Sequence, residues 1–241
     1  VRALAAAGAP VFALDEARIA ALRPDVVLTQ QLCEVCAVSE TDVRRLAATL
    51  ASRPAVVTLG GTTLAGVLDD VERVAAALGA PERGATLRAR VEERMRRVHE
   101  TLRAARAPRP RVAVIEWTEP VFAAGHWVPE MVRRAGGADV LAVPGRHSVT
   151  VEPAAVERAD PQVLLVAPCG YDVTRAAAAA ERLLARPEWA WALERRVWVL
   201  DANALVSRPG PRLADGVEVM AALFAPGLFA APSPEQARRI V

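Results

Sequence analysis

"PVFALDEARIAALRPDVVLT", residues 10–29, lies without a gap on "HSVTVEPAAVERADPQVLLV", residues 147–166. Ile19 falls on Val156, Pro24 on Pro161, and Val26-Val27-Leu28 on Val163-Leu164-Leu165. Each copy reads as an amphipathic helix, a proline break, and a β-branched run. The next apolar runs also pair, "AVVTL" at 55–59 with "RVWVL" at 196–200. Between the copies, Leu87, Val91, Met95, Val98 and Leu102 form one helical stripe, predicting a helix from Arg83 to Ala105. "APRP", residues 107–110, stops it, because proline cannot continue a helix.

Two halves with one plan, on either side of a long helix, predict an α/β protein. It would have two lobes with parallel-sheet cores, bridged by that helix, and a ligand cleft between them. The boundaries are 1–81 for the N-terminal lobe, 82–107 for the connecting helix, 108–230 for the C-terminal lobe and 231–241 for a tail. The register also predicts an asymmetry. The strand and helix of Arg111–Gly137 have no counterpart after residue 1, so the first lobe is expected to be incomplete. Fewer strands and an uncovered sheet edge near Val11–Leu14 or Val26–Thr29 follow.

The remaining expected strands are Ala55–Leu59, Val112–Trp117, Val163–Ala167 and Val197–Leu200. Expected helices are Glu16–Leu22, Glu40–Ala51, Leu64–Leu78, Val128–Ala135, Ala154–Arg158, Thr174–Ala185 and Pro211–Phe224.

Composition narrows the function classes. The 241 residues carry 30 Lys+Arg against 28 Asp+Glu, and the net charge of +2 comes with no basic block. Nucleic-acid binding therefore has no electrostatic support. No apolar stretch approaches the roughly 18 residues of a membrane span, and no secretory signal opens the chain. Three cysteines, an odd number, exclude a full disulfide framework.

Ligands of open parallel sheets gather at the carboxyl ends of strands. There the chain places "QQLCEVCAV" (30–38), "GGTT" (60–63), "TEPVFAAGHW" (118–127), "PCGYD" (168–172) and "DANALVSRPGPR" (201–212), with "VPGRHSV" (143–149) nearby. All three cysteines and two of three histidines lie in these loops. Aromatics are only 4% of the chain, yet Trp117, Phe122, Trp127 and Tyr171 sit in or beside them. The concentration points to a sizeable ligand held by apolar surface and a few polar groups.

Sharper chemistry finds less support. Cys33 and Cys36 supply half a zinc site, and no second pair completes it. A redox pair opens a helix directly after its strand, whereas four residues intervene here. A Cys33–Cys36 disulfide, a Cys/His metal contact across the cleft and a plain ligand-lining loop all remain open. There is no GxSxG elbow, and "GGTT" lacks the GK[ST] ending of a phosphate loop. Glu116 and Glu119 form a Glu-x-x-Glu pair of a kind common by chance. His99, on the long helix, reads as a surface residue. Arg208 is pinned at a rim by Pro209, Gly210 and Pro211.

"LRPDVVLTQQLCEVCAV" (22–38), "RVAVIEWTEPVFAAGHWVPEMVRRAGG" (111–137), "APCGYD" (167–172) and "SRPGPRLADGVEVMAALFAPG" (207–227) resemble the cobalamin-binding branch of the Fe/B12 substrate-binding protein family. The likeness runs from about residue 10 to residue 228, and "AGHWVPEM" and "SRPGPRL" are its most specific segments. It implies two bridged α/β lobes, a corrinoid as cargo rather than cofactor, delivery to an ABC importer, an extracytoplasmic location and no catalysis. Gln30, Gln31, Cys33 and Cys36 would line one wall of the cleft. Trp117, Glu119, Phe122, His126, Trp127, Cys169, Tyr171 and Arg208 would line the other. Apart from the resemblance, whose members usually bind by shape and polar contacts, a neutral imidazole of His126 or His147 would offer a nitrogen to a corrinoid's cobalt. Glu34 or Glu40 would dock to the permease, while the second docking position falls near Ser207, which is not acidic. Where relatives carry aromatics, Ala204 and Leu205 stand. Ferric siderophore or haem as the cargo, and a metal-dependent α/β enzyme with Cys/His ligands, are the alternatives. A cytoplasmic corrinoid-handling role is the alternative for location.

Overall fold

The Ala55 N–H donates to the Asp25 carbonyl, and the Arg196 N–H donates to the Gln162 carbonyl. Both donors and both acceptors are positions that the sequence repeat superposes. The computed structural model in which these bonds are seen describes residues 14–31 and 38–241. It divides into two units after Arg88, and each has its own sheet.

In the first unit, helix α1 (Glu16–Leu22) starts at Asp15, whose carboxylate accepts the Arg18 N–H at 3.0 Å. It ends on Arg23 in the left-handed conformation, directly before Pro24. Strand β1 (Val26–Gln30) follows, then α2 (Glu40–Thr49), capped by Ser39. Strand β2 (Ala55–Leu59) pairs parallel with β1, Val26 opposite Ala55. Helix α3 (Leu64–Ala77) is capped by Thr63. Helix α4 (Pro81–Ala104) begins here, and Arg88 on its second turn pairs with Asp69 and Glu72 of α3. The expected strand at Val11–Leu14 falls, apart from Leu14, outside the described residues, as do Cys33, Glu34 and Cys36.

In the second unit, α4 buries Val91, Met95, Val98 and Leu102, the stripe read from the sequence, while Leu87 remains 36% exposed. Strand β3 (Arg111–Thr118) turns into the short antiparallel β4 (Val121–Ala123). Helix α5 (Val128–Arg134), β5 (Ala138–Asp139), β6 (Val149–Thr150) and α6 (Pro153–Arg158) follow. The chain then enters β7 (Val163–Val166), α7 (Val173–Leu184), a 3-10 segment (Pro187–Glu194) and β8 (Arg196–Leu200). Helices α8 (Ala202–Leu205) and α9 (Leu213–Phe224) and strand β9 (Ala237–Arg239) complete it.

The sheet runs β6-β4-β3-β7-β8-β9, with β5 also on β3. Its central strands β5, β3, β7 and β8 pair parallel, as the β/α alternation suggested. β4, β6 and β9 pair antiparallel, being too short to carry the period that marks a strand. Residues 231–241, set apart as a tail, return to the sheet as β9 beside β8.

The two copies superpose in detail. Asp160, like Arg23, is left-handed and precedes a proline. Val163 stands opposite Arg196 as Val26 stands opposite Ala55. The difference is in burial. Leu165 is fully buried, whereas its counterpart Leu28 is 49% exposed. β7 has β3 on its other edge; among the described residues β1 has only β2. An apolar hollow of about 350 Å³, lined by Ile19, Val27, Leu28, Val43 and Leu46, flanks β1.

One buried acid makes stability pH-dependent. Asp139 Oδ1 accepts the N–H groups of Leu141 and Ala142, while Oδ2 is buried with no hydrogen-bond partner among the described residues. Burial outweighs the two hydrogen bonds and pushes the carboxyl from 3.8 to about 6. The protonated form is favoured on folding, so this stabilisation is complete below pH 3.8 and is lost as pH rises through about 6. Asp139→Asn should therefore flatten the loss of stability between pH 4 and 7 by up to about 3 kcal/mol. Urea unfolding of both proteins across that range measures it; parallel pH profiles would contradict the assignment.

Candidate functional site

In the second unit, the carboxyl ends of β3 and β7 lie side by side because the two strands pair parallel. The pairing continues past β7: Ala167 N–H donates to the Ile115 carbonyl and Cys169 N–H to that of Glu116. "PCGYD" is thus laid along the end of β3. Gly170, with φ +74°, turns the chain, and Tyr171 comes beside Trp117. Their rings meet edge to face, centroids 5.6 Å apart. The Arg175 guanidinium lies 4.0 Å above the Tyr171 ring. The Ser207 hydroxyl accepts the Gly170 N–H, joining this loop to "SRPGPRL".

Glu116, at the end of β3, borders a second group of loops. Burial pushes its pKa up, and the neighbouring Ser148 hydroxyl and Gly125 N–H oppose that shift only in part. Gly125 must be glycine: a Cβ there would stand 2.4 Å from the Ser148 nitrogen. His126 N–H donates to the Arg146 carbonyl and Gly145 N–H to that of His126, so residues 125–126 and 145–148 are strapped together. His126 takes a left-handed backbone there, φ 54°. Its Nε2 lies 3.1 Å from Nδ1 of His147, the rings nearly perpendicular. Burial, and then the neighbouring His147, hold the His126 pKa below its usual value.

The residues expected from the sequence divide by role. Trp117, Tyr171, Cys169 and Arg208 reach the surface of these loops, Cys169 as a free thiol. Phe122 stands on β4 opposite Trp117 and is half-buried. Glu119 is engaged by Arg186, 2.5 Å away. Trp127 is no wall residue: it is 6% exposed, and its indole N–H donates to the Val206 carbonyl at 2.8 Å. It braces the loop that carries Arg208. Among the described residues no group of three or more His, Cys, Asp or Glu side chains is placed to hold a metal ion.

In the first unit, the ends of β1 and β2 surround a polar hollow of about 420 Å³ lined by Gln31, Glu40, Thr58, Thr62 and Arg73, among others. Gln30 instead borders the apolar hollow beside β1. "GGTT" is a helix entry: Thr63 caps α3, and Gly61 N–H donates to the buried Asp70 carboxylate. Glu40 accepts from the Thr58 hydroxyl and pairs with Arg44, and these bonds, the Thr58 one first, lower its pKa. It is committed inside the unit, a poor candidate for docking a permease. His99 is exposed on α4, as expected.

Sequence reading missed Arg175 and Arg186, and it named Ser207 only for docking, not for its bond to Gly170. Arg175 had a local signal, four residues beyond Tyr171 at a helix start. Arg186 lies 67 residues from Glu119 with no motif around it.

The family model for periplasmic binding proteins matches residues 14–203. Among solved structures, a periplasmic haem-binding protein from Pseudomonas aeruginosa matches with TM-score 0.72 and 24% identity, over 94% of this chain and 81% of that one. An ABC transporter substrate-binding protein from Listeria monocytogenes matches at 0.70 and 17%, covering 87% and 80%. The periplasmic vitamin B12-binding protein BtuF of Vibrio cholerae matches at 0.61 and 20%, covering 88% and 78%. At these identities the likeness is one of fold. No curated protein matches the chain.

The strap makes a prediction. Gly125→Ala should push residues 146–148 away and cost on the order of 2 kcal/mol. Denaturant unfolding reads the cost; unchanged stability would mean that the close approach at Gly125 is relaxed in solution.

Proposed function

The chain belongs to the periplasmic binding protein family, and from that premise we propose that it is the extracytoplasmic substrate-binding component of an ABC importer, with a corrinoid as its cargo. One observation carries the reading. Trp117 and Tyr171, the latter the chain's single tyrosine, stand half-exposed and edge to face at the ends of two adjacent strands. They offer a flat, metal-bearing macrocycle apolar surface, with the free thiol of Cys169 and the exposed guanidinium of Arg208 on the adjoining loops. The exposed amides of Gln30 and Gln31, at the end of β1, are chemically matched to a corrin's peripheral amides. The segments "AGHWVPEM" and "SRPGPRL" support the same choice. The protein would bind and release its cargo unchanged.

Haem is the second reading, favoured by Arg208 as a partner for propionate groups. The test is a titration of the full chain with aquocobalamin, ferric haem and a ferric siderophore, following ligand absorbance and tryptophan fluorescence. Saturable binding of aquocobalamin without turnover is expected. Trp117→Ala and Tyr171→Ala should each weaken it roughly tenfold. Preference for haem moves the assignment to the second reading. Chemical conversion of the ligand would point to the metal-dependent enzyme instead.

A further inference from the structure

His126 and His147 form a pair with more chemistry than cleft lining requires. Their facing nitrogens are 3.1 Å apart, and one ring's N–H must point at the other's lone pair. His126 is the half-buried partner, backed by Trp127 at 5.7 Å between ring centroids. His147 is exposed, and among the described residues its Nε2 takes no hydrogen bond.

This is the general arrangement of a metal-ligating histidine. One ring nitrogen offers a lone pair outward, and the other donates its N–H to a neighbour that fixes tautomer and ring orientation. His126 meets the needs of that neighbour. Its Nε2 faces the His147 Nδ1, and its backbone is strapped to residues 145 and 146, which holds the ring in place.

The number of ligands selects the kind of metal. A free transition-metal ion asks for about four protein donors, and no group of three or more stands together among the described residues. A metal inside a macrocycle already holds its equatorial donors and lacks only an axial one. A single presented imidazole suits that case and not the bare ion.

Resting on the reading of the cargo as a metal-centred macrocycle, we propose that His147 is its axial ligand through Nε2, with His126 as the positioning residue that accepts the Nδ1–H. The step is a ligand exchange. The His147 lone pair forms the metal–nitrogen bond, the metal–water bond breaks, and water leaves with its own electron pair. No oxidation state changes and no proton moves.

The experiment titrates aquocobalamin, and separately ferric haem, into the full chain and into His147→Ala, His126→Ala and His126→Gln. Visible bands report ligation, and equilibrium dialysis reports binding independently. Wild type should shift the bands from the water-bound to the imidazole-bound position. His147→Ala should still bind but keep the water-bound spectrum, and added imidazole should restore the shift. His126→Ala should retain the shifted bands with about tenfold weaker affinity. His126→Gln, which again offers an acceptor, should recover most of it. A bound spectrum identical in wild type and His147→Ala overturns the ligation while the cargo reading stands. If neither macrocycle binds wild type by dialysis, both fall together.

Discussion

Two parallel strands cannot be joined by a tight turn; the chain must cross over through a helix and start again from the same edge. That constraint is met twice here, in β1–β2 and in β7–β8, by the same hydrogen bond into the residue before the first strand. A slip of one residue would turn every side chain to the opposite face. In the second unit it would exchange the two buried faces of β7 and take Leu164 and Val166 away from the cluster they share with Ala113 and Ile115. The register fixes more than packing. It delivers the carboxyl ends of β3 and β7 to one edge, so Trp117 and Tyr171 become neighbours although 54 residues of sequence separate them (171 − 117).

What the sheet delivers, polar pins hold. Loops on a surface are mobile unless their backbone groups find partners. Here Ser207 satisfies Gly170, the Trp117 indole satisfies Glu119, and the Trp127 indole satisfies Val206. Each pin uses a side chain that would otherwise be available to a ligand. Trp127 loses its exposure, while Trp117 makes its bond and stays half-exposed. The Tyr171 ring, the Cys169 thiol and the Arg208 guanidinium also remain outside. The candidate site is thus the remainder after the scaffold has taken its share of polar groups.

The frame was legible in the sequence because its determinants are local and periodic. The stripe from Val91 to Leu102 announces α4, and Pro24 and Pro161 mark the helix ends before β1 and β7. β4, β5, β6 and β9, two or three residues each, were not legible, since alternation needs more residues to show. For the candidate site, the strand-end rule picked loops that the second unit sets at neighbouring strand ends, but not the orientation of side chains within them. Nothing around Trp127 says that its ring turns inward, because its acceptor, Val206, is 79 residues away. The meeting of His126 with His147 depends on a strap that only Gly125 permits, and a glycine in sequence does not say what approaches it.

The repeat also separates what the fold requires from what it leaves free. Arg23 and Asp160 share no chemistry, yet both adopt the left-handed conformation one residue before proline, since the helix must end and the strand begin there. The helix starts are solved differently. Asp15 caps α1 with its carboxylate, while α6 opens on Pro153, whose missing N–H leaves one less group to satisfy. Backbone geometry is therefore common to the two copies, and side-chain identity follows only where geometry dictates it. Beyond the strand ends geometry dictates little, and there the units diverge. Threonines and glycines follow β2, whereas the aromatic pair, the histidine pair and the free thiol gather about β3, β4 and β7. Among the described residues the aromatic pair and the histidine pair stand in one of two equivalent frames, as expected if the frames supply position and the loops supply recognition.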